Sequence, residues 1–218
     1  MGVPGVWQSA ALIGASELGD KTFFLSAIIS MNKGRDVAFT GSMAALTVLT
    51  GASVALGSTA RLLPPDVFAP GGVPLIDIAA TCAFSYFGMM MLRDASAAAA
   101  TAEEEQEEAE KDAAEAMAAG SSGSLWGALA ATFSLVFVAE IGDKSMIATV
   151  ALAKDLDATG VLLGAMAGNS VATTLAVVGG SSLSGYLPPE AISRIGGVLF
   201  LVFAAATAAK AAGLIEDD

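Results

Sequence analysis

The chain has 218 residues, of which 55% are hydrophobic and 15% charged, and its formal net charge is −12. An ordinary globular domain carries about a quarter charged residues, so this composition is typical of an integral membrane protein. The acidic balance argues against a nucleic-acid partner, and the lack of histidine leaves carboxylates as the groups expected to titrate near neutral pH. The one cysteine, Cys82, allows no disulfide within the chain, and we expect it to be a small buried residue.

Six apolar segments follow one another along the chain, each near the roughly 20 residues that a membrane helix needs. They are predicted at residues 6–31, 37–63, 74–92, 125–153, 158–183 and 191–212. No signal peptide is expected, because the N-terminus lacks a basic region followed by a cleavage site. The predicted fold class is therefore an all-α integral membrane protein with six transmembrane helices.

A polar linker, residues 93–124, separates the third segment from the fourth. Residues 101–115 within it hold eight acids and one lysine. Such an alanine- and glutamate-rich sequence has high helix propensity but no apolar stripe, so it is either a solvated helix or disordered. We expect a solubilising spacer; a weak collector of cations and a regulatory contact are the alternatives.

The second half of the chain repeats the first. The hexapeptide ELGDKT at residues 17–22 returns as EIGDKS at residues 140–145, and the same shift maps Gly41 onto Gly164 and Met43 onto Met166. The domains are thus residues 1–92 and 125–218, each with three membrane segments. An odd number of segments makes the second half enter the membrane from the opposite side. Inverted repeats of this kind are typical of secondary transporters, whose sites lie between the repeats.

Each hexapeptide places charged groups inside an apolar run, where each costs roughly 2.5–3.5 kcal/mol at the centre of a membrane helix. The Glu and Asp of each motif are three residues apart, so they are predicted to project from the same helix face. Facing motifs would then bring four carboxylates together, and we expect these to bind a cation: Glu17, Asp20, Glu140 and Asp143. Lys21 and Lys144 each follow their Glu by four residues and are expected to pair with it.

Four buried carboxylates cannot all stay ionised without a dication or protons to neutralise them, which is the minimal chemistry of cation/proton exchange. Oxygen ligands suit Ca²⁺, Mn²⁺ and Mg²⁺. Further candidate ligands are the hydroxyls of Thr22 and Ser145, the amide of Asn169 and the sulfurs of Met43 and Met166, which would favour Mn²⁺. The alternative for the motifs is an ion-paired helix contact without transport.

Two E-x-G-D-[KR]-[ST] motifs in a three-plus-three repeat, separated by an acidic linker, resemble the Gdt-type family of divalent cation/proton antiporters, also described as transmembrane protein 165-like. Residues 134–152 and 196–207 are especially similar to its chloroplast and cyanobacterial manganese-transporter branch. One departure is Asn169, where chloroplast relatives tend to have histidine.

The resemblance implies transport of Mn²⁺ and Ca²⁺ in exchange for protons, with no cofactor and no enzymatic activity. It implies that the four motif carboxylates carry the ion and that the partners are the lipid bilayer, divalent cations and protons. It also implies a chloroplast thylakoid or envelope membrane, with a cyanobacterial or Golgi membrane as alternatives. The sequence does not decide whether the protein forms a homo-oligomer. The rival functions are a cation channel with an acidic filter and a non-transporting membrane scaffold or assembly factor.

Overall fold

Nine α-helices account for most of residues 4–62, 74–119, 124–179 and 189–214, which the computed structural model describes, and no β-strand occurs within those ranges. A short 3₁₀ turn, Ala95–Ala97, joins the fourth helix to the fifth. The helices are α1 Pro4–Glu17, α2 Lys21–Lys33, α3 Arg35–Leu62, α4 Leu75–Asp94, α5 Ala98–Ala119, α6 Leu125–Glu140, α7 Lys144–Asp155, α8 Ala158–Gly179 and α9 Pro189–Ala211.

Within the described ranges, four helical stretches are long and apolar enough to cross a membrane, so the chain is a multi-pass membrane protein. They are Arg35–Ala60, Leu75–Ala116, Ala158–Gly179 and Pro189–Ala211. Helices α6 and α7 together form a fifth candidate span, bent by 72°. The predicted ends of the second and fifth segments, at Leu63 and Leu183, lie outside the described residues.

The sequence predicted one continuous helix for each of the two segments that carry the motifs, and this prediction is wrong. The first is divided into α1 and α2 and the second into α6 and α7, and each break falls inside the hexapeptide. Gly19 and Gly142 lie in the breaks with φ of 76° and 81°. A left-handed residue cannot continue a right-handed helix, so each of these segments consists of two short helices that meet at the motif.

The linker is helical over its described residues up to Ala119, a point that the sequence left undecided. Its helix α5 buries Ala109 and Ala113 fully or almost fully, in a cluster with Phe23 and Phe24 of α2. The alanine side chains form the narrow apolar face by which this otherwise acidic helix packs on the body of the protein.

The two halves of the chain interlock through their motif-bearing helices. Helix α1 of the first half packs on α8 of the second, and α6 of the second packs on α3 of the first. Small residues allow the close approach: a Cβ atom added at Gly168 would lie 2.7 Å from the Gly14 nitrogen, and one at Gly41 would lie 2.6 Å from Thr132 Cβ. Glycine at these positions therefore serves helix packing, as expected for small residues between membrane helices.

The last helix of the first half, α4, packs on the last helix of the second half, α9, and Phe84 and Phe200 are in ring contact at a centroid distance of 6.0 Å. Helix α4 buries only this side. Cys82 is exposed on its outer face, so the expectation of a buried cysteine is wrong.

Candidate functional site

The acidic residues of each motif lie on opposite sides of a helix break. Glu17 and Glu140 are the last residues of α1 and α6, whereas Asp20 and Asp143 are the N-caps of α2 and α7. The predicted arrangement of Glu and Asp on one continuous helix face is therefore wrong. The left-handed glycine between them turns the chain, so the Glu and the Asp belong to two different helices.

Three of the four predicted carboxylates form one cluster. Glu17, Glu140 and Asp143 each offer an oxygen, and these oxygens all lie within 4.8 Å of one another. Both glutamates are buried, with 3% and 2% of their surface exposed. The Thr22 hydroxyl donates to Glu17 Oε2 at 3.4 Å and the Ser145 hydroxyl donates to Glu140 Oε2 at 3.2 Å. This spacing suits a single cation coordinated from both motifs.

The buried glutamates keep unused ligand atoms. Among the described residues, neither Glu17 Oε1 nor Glu140 Oε1 has a hydrogen-bond partner. A buried carboxylate oxygen without a partner costs free energy unless a proton or a cation neutralises it. The donor chemistry of the cluster thus fits a hard divalent cation, with protons as its competitors.

The helix ends reinforce this electrostatic pattern. The C-termini of α1 and α6, with their partial negative charge, end at the two glutamates, where they favour a cation. The N-termini of α2 and α7 begin at the two aspartates, where a carboxylate is favoured. In α7 this is realised as a cap, because Asp143 Oδ2 accepts a hydrogen bond from the Ser145 backbone N–H at 3.1 Å.

The acid nearest to each motif lysine lies outside that lysine's own motif. The Nζ atom of Lys144 lies 3.0 Å from Oδ1 of Asp20 in the other half and 3.7 Å from Oδ1 of Asp143. Asp20 therefore lies beside the three-carboxylate cluster, held in an ion pair. The expected pairing of each Lys with the Glu four residues before it is wrong, because that spacing brings side chains together only on an uninterrupted helix.

Lys21 faces the linker helix. Its amino group lies 3.2 Å from Glu108 and 2.8 Å from Asp112 of α5. The linker acids therefore contact the first motif directly, a relationship that the spacing of residues along the chain does not reveal.

Asn169 lies in the cavity beside the second motif. It is 3% exposed, its Nδ2 donates to Thr50 Oγ1 at 3.3 Å, and its Oδ1 has no partner in the described part of the chain. The cavity is also lined by Glu140, Ser145, Thr149 and apolar side chains from α1 and α3.

The sulfur at this cavity belongs to Met146, which the sequence analysis did not single out. Met146 lines the cavity, and the Gly142 backbone N–H donates to its Sδ atom at 3.4 Å. Met43 and Met166 are not among the cavity-lining residues; the Ser170 hydroxyl contacts the Met43 sulfur at 3.9 Å instead. Its position in the first helical turn after the second motif was the sequence feature by which Met146 could have been identified.

The chain matches the model of one known protein family. The family model "Divalent cation/proton antiporter GDT1" matches residues 5–99 and 128–214. The chain is 45% identical over 215 residues to "Protein PAM71, chloroplastic" of Arabidopsis thaliana, covering 94% of this chain and 57% of that protein. It is 38% identical over 198 residues to "GDT1-like protein sll0615" of Synechocystis sp., covering 88% and 91%.

A third relative, "GDT1-like protein 1, chloroplastic" of Oryza sativa subsp. indica, is 41% identical over 208 residues, covering 93% of this chain and 61% of that protein. The chain thus spans about three fifths of the length of these plant relatives. No solved structure matches it.

Proposed function

The chain belongs to the GDT1 family of divalent cation/proton antiporters, and from that premise we propose that it exchanges a divalent cation for protons across a membrane. The family is one of transporters, not of enzymes. The observation that carries the proposal is the buried cluster of Glu17, Glu140 and Asp143, in which two carboxylate oxygens have no partner among the described residues.

In the proposed site, these three carboxylates bind the cation. Asp20 supplies a fourth carboxylate, which is paired with Lys144. The hydroxyls of Thr22 and Ser145 keep one oxygen of each glutamate in place, so the other oxygen is free for the ion. Because the ligand oxygens come from both halves, a relative movement of the halves opens and closes the site. That is the geometry that alternating access requires.

The exchange follows from charge balance. Without a metal ion, protons on the buried carboxylates neutralise the cluster; a dication that binds there replaces them, and two protons carry the charge of one dication. The protons leave on the side from which the metal entered. When the site opens to the other side, protons return to the carboxylates and the metal is released.

We propose six membrane spans arranged as two inverted repeats, residues 1–92 and 125–218. Helix pairs α1–α2 and α6–α7 would each count as one broken span. Two features support this: both breaks fall at the same motif position, and α1 packs on α8 as its counterpart α6 packs on α3. Broken helices that meet at a charged site are a recurrent design in secondary transporters.

The proposed substrates are Mn²⁺ and Ca²⁺, and the proposed location is a chloroplast thylakoid or envelope membrane or a cyanobacterial membrane. Oxygen-rich carboxylate sites suit both ions. The relatives named as chloroplastic and the relative from Synechocystis support the location.

The test is uptake of Mn²⁺ into proteoliposomes under an imposed pH gradient. We expect Glu17→Gln and Glu140→Gln to reduce uptake to the level of protein-free vesicles, because each removes a charge from the cluster. The matched control is Glu104→Gln, which neutralises an exposed acid of α5. Near-normal uptake in both variants would rule out the site. Uptake that ignores the pH gradient and rises linearly with concentration would indicate a channel instead.

A further inference from the structure

The cavity beside Glu140 combines three donor atoms of different softness. It is lined by Glu140, Asn169 and Met146, and both Glu140 Oε1 and Asn169 Oδ1 lack partners within the described ranges. Asn169 is 3% exposed, so bulk solvent cannot serve as the missing partner of its amide oxygen. A carboxylate, an amide oxygen and a thioether therefore line one small space.

The position of the Met146 sulfur is fixed by the helix break. The Gly142 N–H donates to Met146 Sδ at 3.4 Å. A backbone N–H at the break would otherwise lack a helical partner, so the sulfur satisfies it. A thioether sulfur has two lone pairs, and the hydrogen bond uses one of them. The second lone pair is not used by this hydrogen bond.

The equivalent surroundings in the first motif differ. The shift of 123 residues maps Met146 onto Phe23 and Asn169 onto Leu46. Phe23 is 4% exposed and packs edge-on against Phe24 at a centroid distance of 5.6 Å, so it is part of the core. The sulfur and the amide thus occur on one side of the cluster only, although the acids occur on both. Such an asymmetry is not needed for the carboxylates to bind a cation.

We propose that Met146 and Asn169 flank the cation at Glu140 and that the Met146 thioether sets its selectivity, favouring Mn²⁺ over Ca²⁺. Ca²⁺ takes oxygen ligands only, whereas transition-metal ions tolerate a soft sulfur neighbour. The Asn169 oxygen is neutral and serves either ion. This inference rests on the proposed function and specifies which residue of the site discriminates between its substrates.

The experiment is calorimetric titration of the full-length protein in detergent with Mn²⁺, Ca²⁺ and Cd²⁺. Cd²⁺ is close to Ca²⁺ in size but has a much stronger preference for sulfur, so the Cd²⁺/Ca²⁺ affinity ratio isolates the contribution of the thioether. Met146→Leu removes the sulfur at similar volume, and Met146→Gln puts an amide oxygen near its position. Met89→Leu is the control, because Met89 is 58% exposed on α4.

We expect Met146→Leu to lower both the Cd²⁺/Ca²⁺ and the Mn²⁺/Ca²⁺ affinity ratios by about tenfold, a typical effect of altering a group beside a metal site. Met146→Gln is expected to lower the ratios further by strengthening Ca²⁺ binding, and Met89→Leu to leave them unchanged. Wild-type ratios in both Met146 variants would overturn the proposal; if the leucine variant does not fold, the glutamine variant decides.

Binding and transport separate this inference from the proposed function. If the sulfur-dependent ratios are found but proteoliposomes show no proton-coupled uptake, antiport is wrong and the selectivity assignment stands. If uptake is coupled to protons and the ratios do not depend on Met146, the assignment alone is wrong.

Discussion

Gly19 and Gly142 decide the geometry of the site at the scale of single residues. Their φ angles are 76° and 81°, and no heavy atom beyond their immediate neighbours lies within 4 Å of the place where a Cβ would be. Glycine is therefore required by the backbone and not by packing. Its left-handed conformation ends one helix at the glutamate and lets the next begin after the aspartate.

Replacing these glycines should cost stability through backbone strain alone. We expect Gly142→Ala to lower the free energy of unfolding by about 1–2 kcal/mol, the penalty of a left-handed alanine. Gly51→Ala is the control: Gly51 lies within α3 with open space around it, so alanine there should stabilise the helix by up to about 1 kcal/mol. Thermal unfolding in detergent measures both, and equal destabilisation by the two would contradict the role of φ.

The linker helix α5 is the element whose position the sequence leaves most uncertain. Its ion pairs with Lys21 involve partly exposed side chains, and such pairs contribute at most about 1 kcal/mol. Ala109 and Ala113 are buried and lie against Phe23 and Phe24 of α2. Docking of α5 therefore depends more on the fit of its alanine face than on its charge.

A charge placed on the docked face should release the helix. We expect Ala113→Glu to increase the rate of limited proteolysis within the linker, because a buried unpaired carboxylate favours local opening. Ala114→Glu introduces the same charge one residue along, at an exposed position, and should leave the rate unchanged. The docked arrangement would be refuted by equal cleavage of the two variants.

An ion-pair network joins three helices at the scale of the whole molecule. Lys154 at the end of α7 pairs with Asp77 of α4 and, at 3.2 Å, with Asp155. Lys210 of α9 lies 2.9 Å from Asp155. Asp77 belongs to the first half of the chain and the other three residues to the second, so the network is a contact between the halves away from the motifs.

Removing one charge from this network should weaken the contact between the halves. Asp77 and Lys154 keep only 14% and 18% of their side-chain surface exposed, so we expect Asp77→Asn to lower the free energy of unfolding by about 1.5–3 kcal/mol. Glu190→Gln breaks an exposed pair with Arg194 and should change stability by less than about 1 kcal/mol. Comparison of the two melting temperatures in detergent checks this, and no difference between them would count against the network.

The sequence by itself determined the membrane class, which the long apolar helices support, and the family, which the comparisons confirm. The acidic linker and the duplicated motif are likewise features of the sequence itself. These follow from composition and from residue order, and neither depends on how distant segments pack. The tertiary structure alone decided that the motif helices break, that Lys144 pairs with Asp20 while Lys21 pairs with the linker, and that Met146 rather than Met43 or Met166 lines the cavity. The physical reason is that spacing rules place side chains only along an unbroken helix, whereas a left-handed glycine turns the chain and leaves long-range packing to choose each partner.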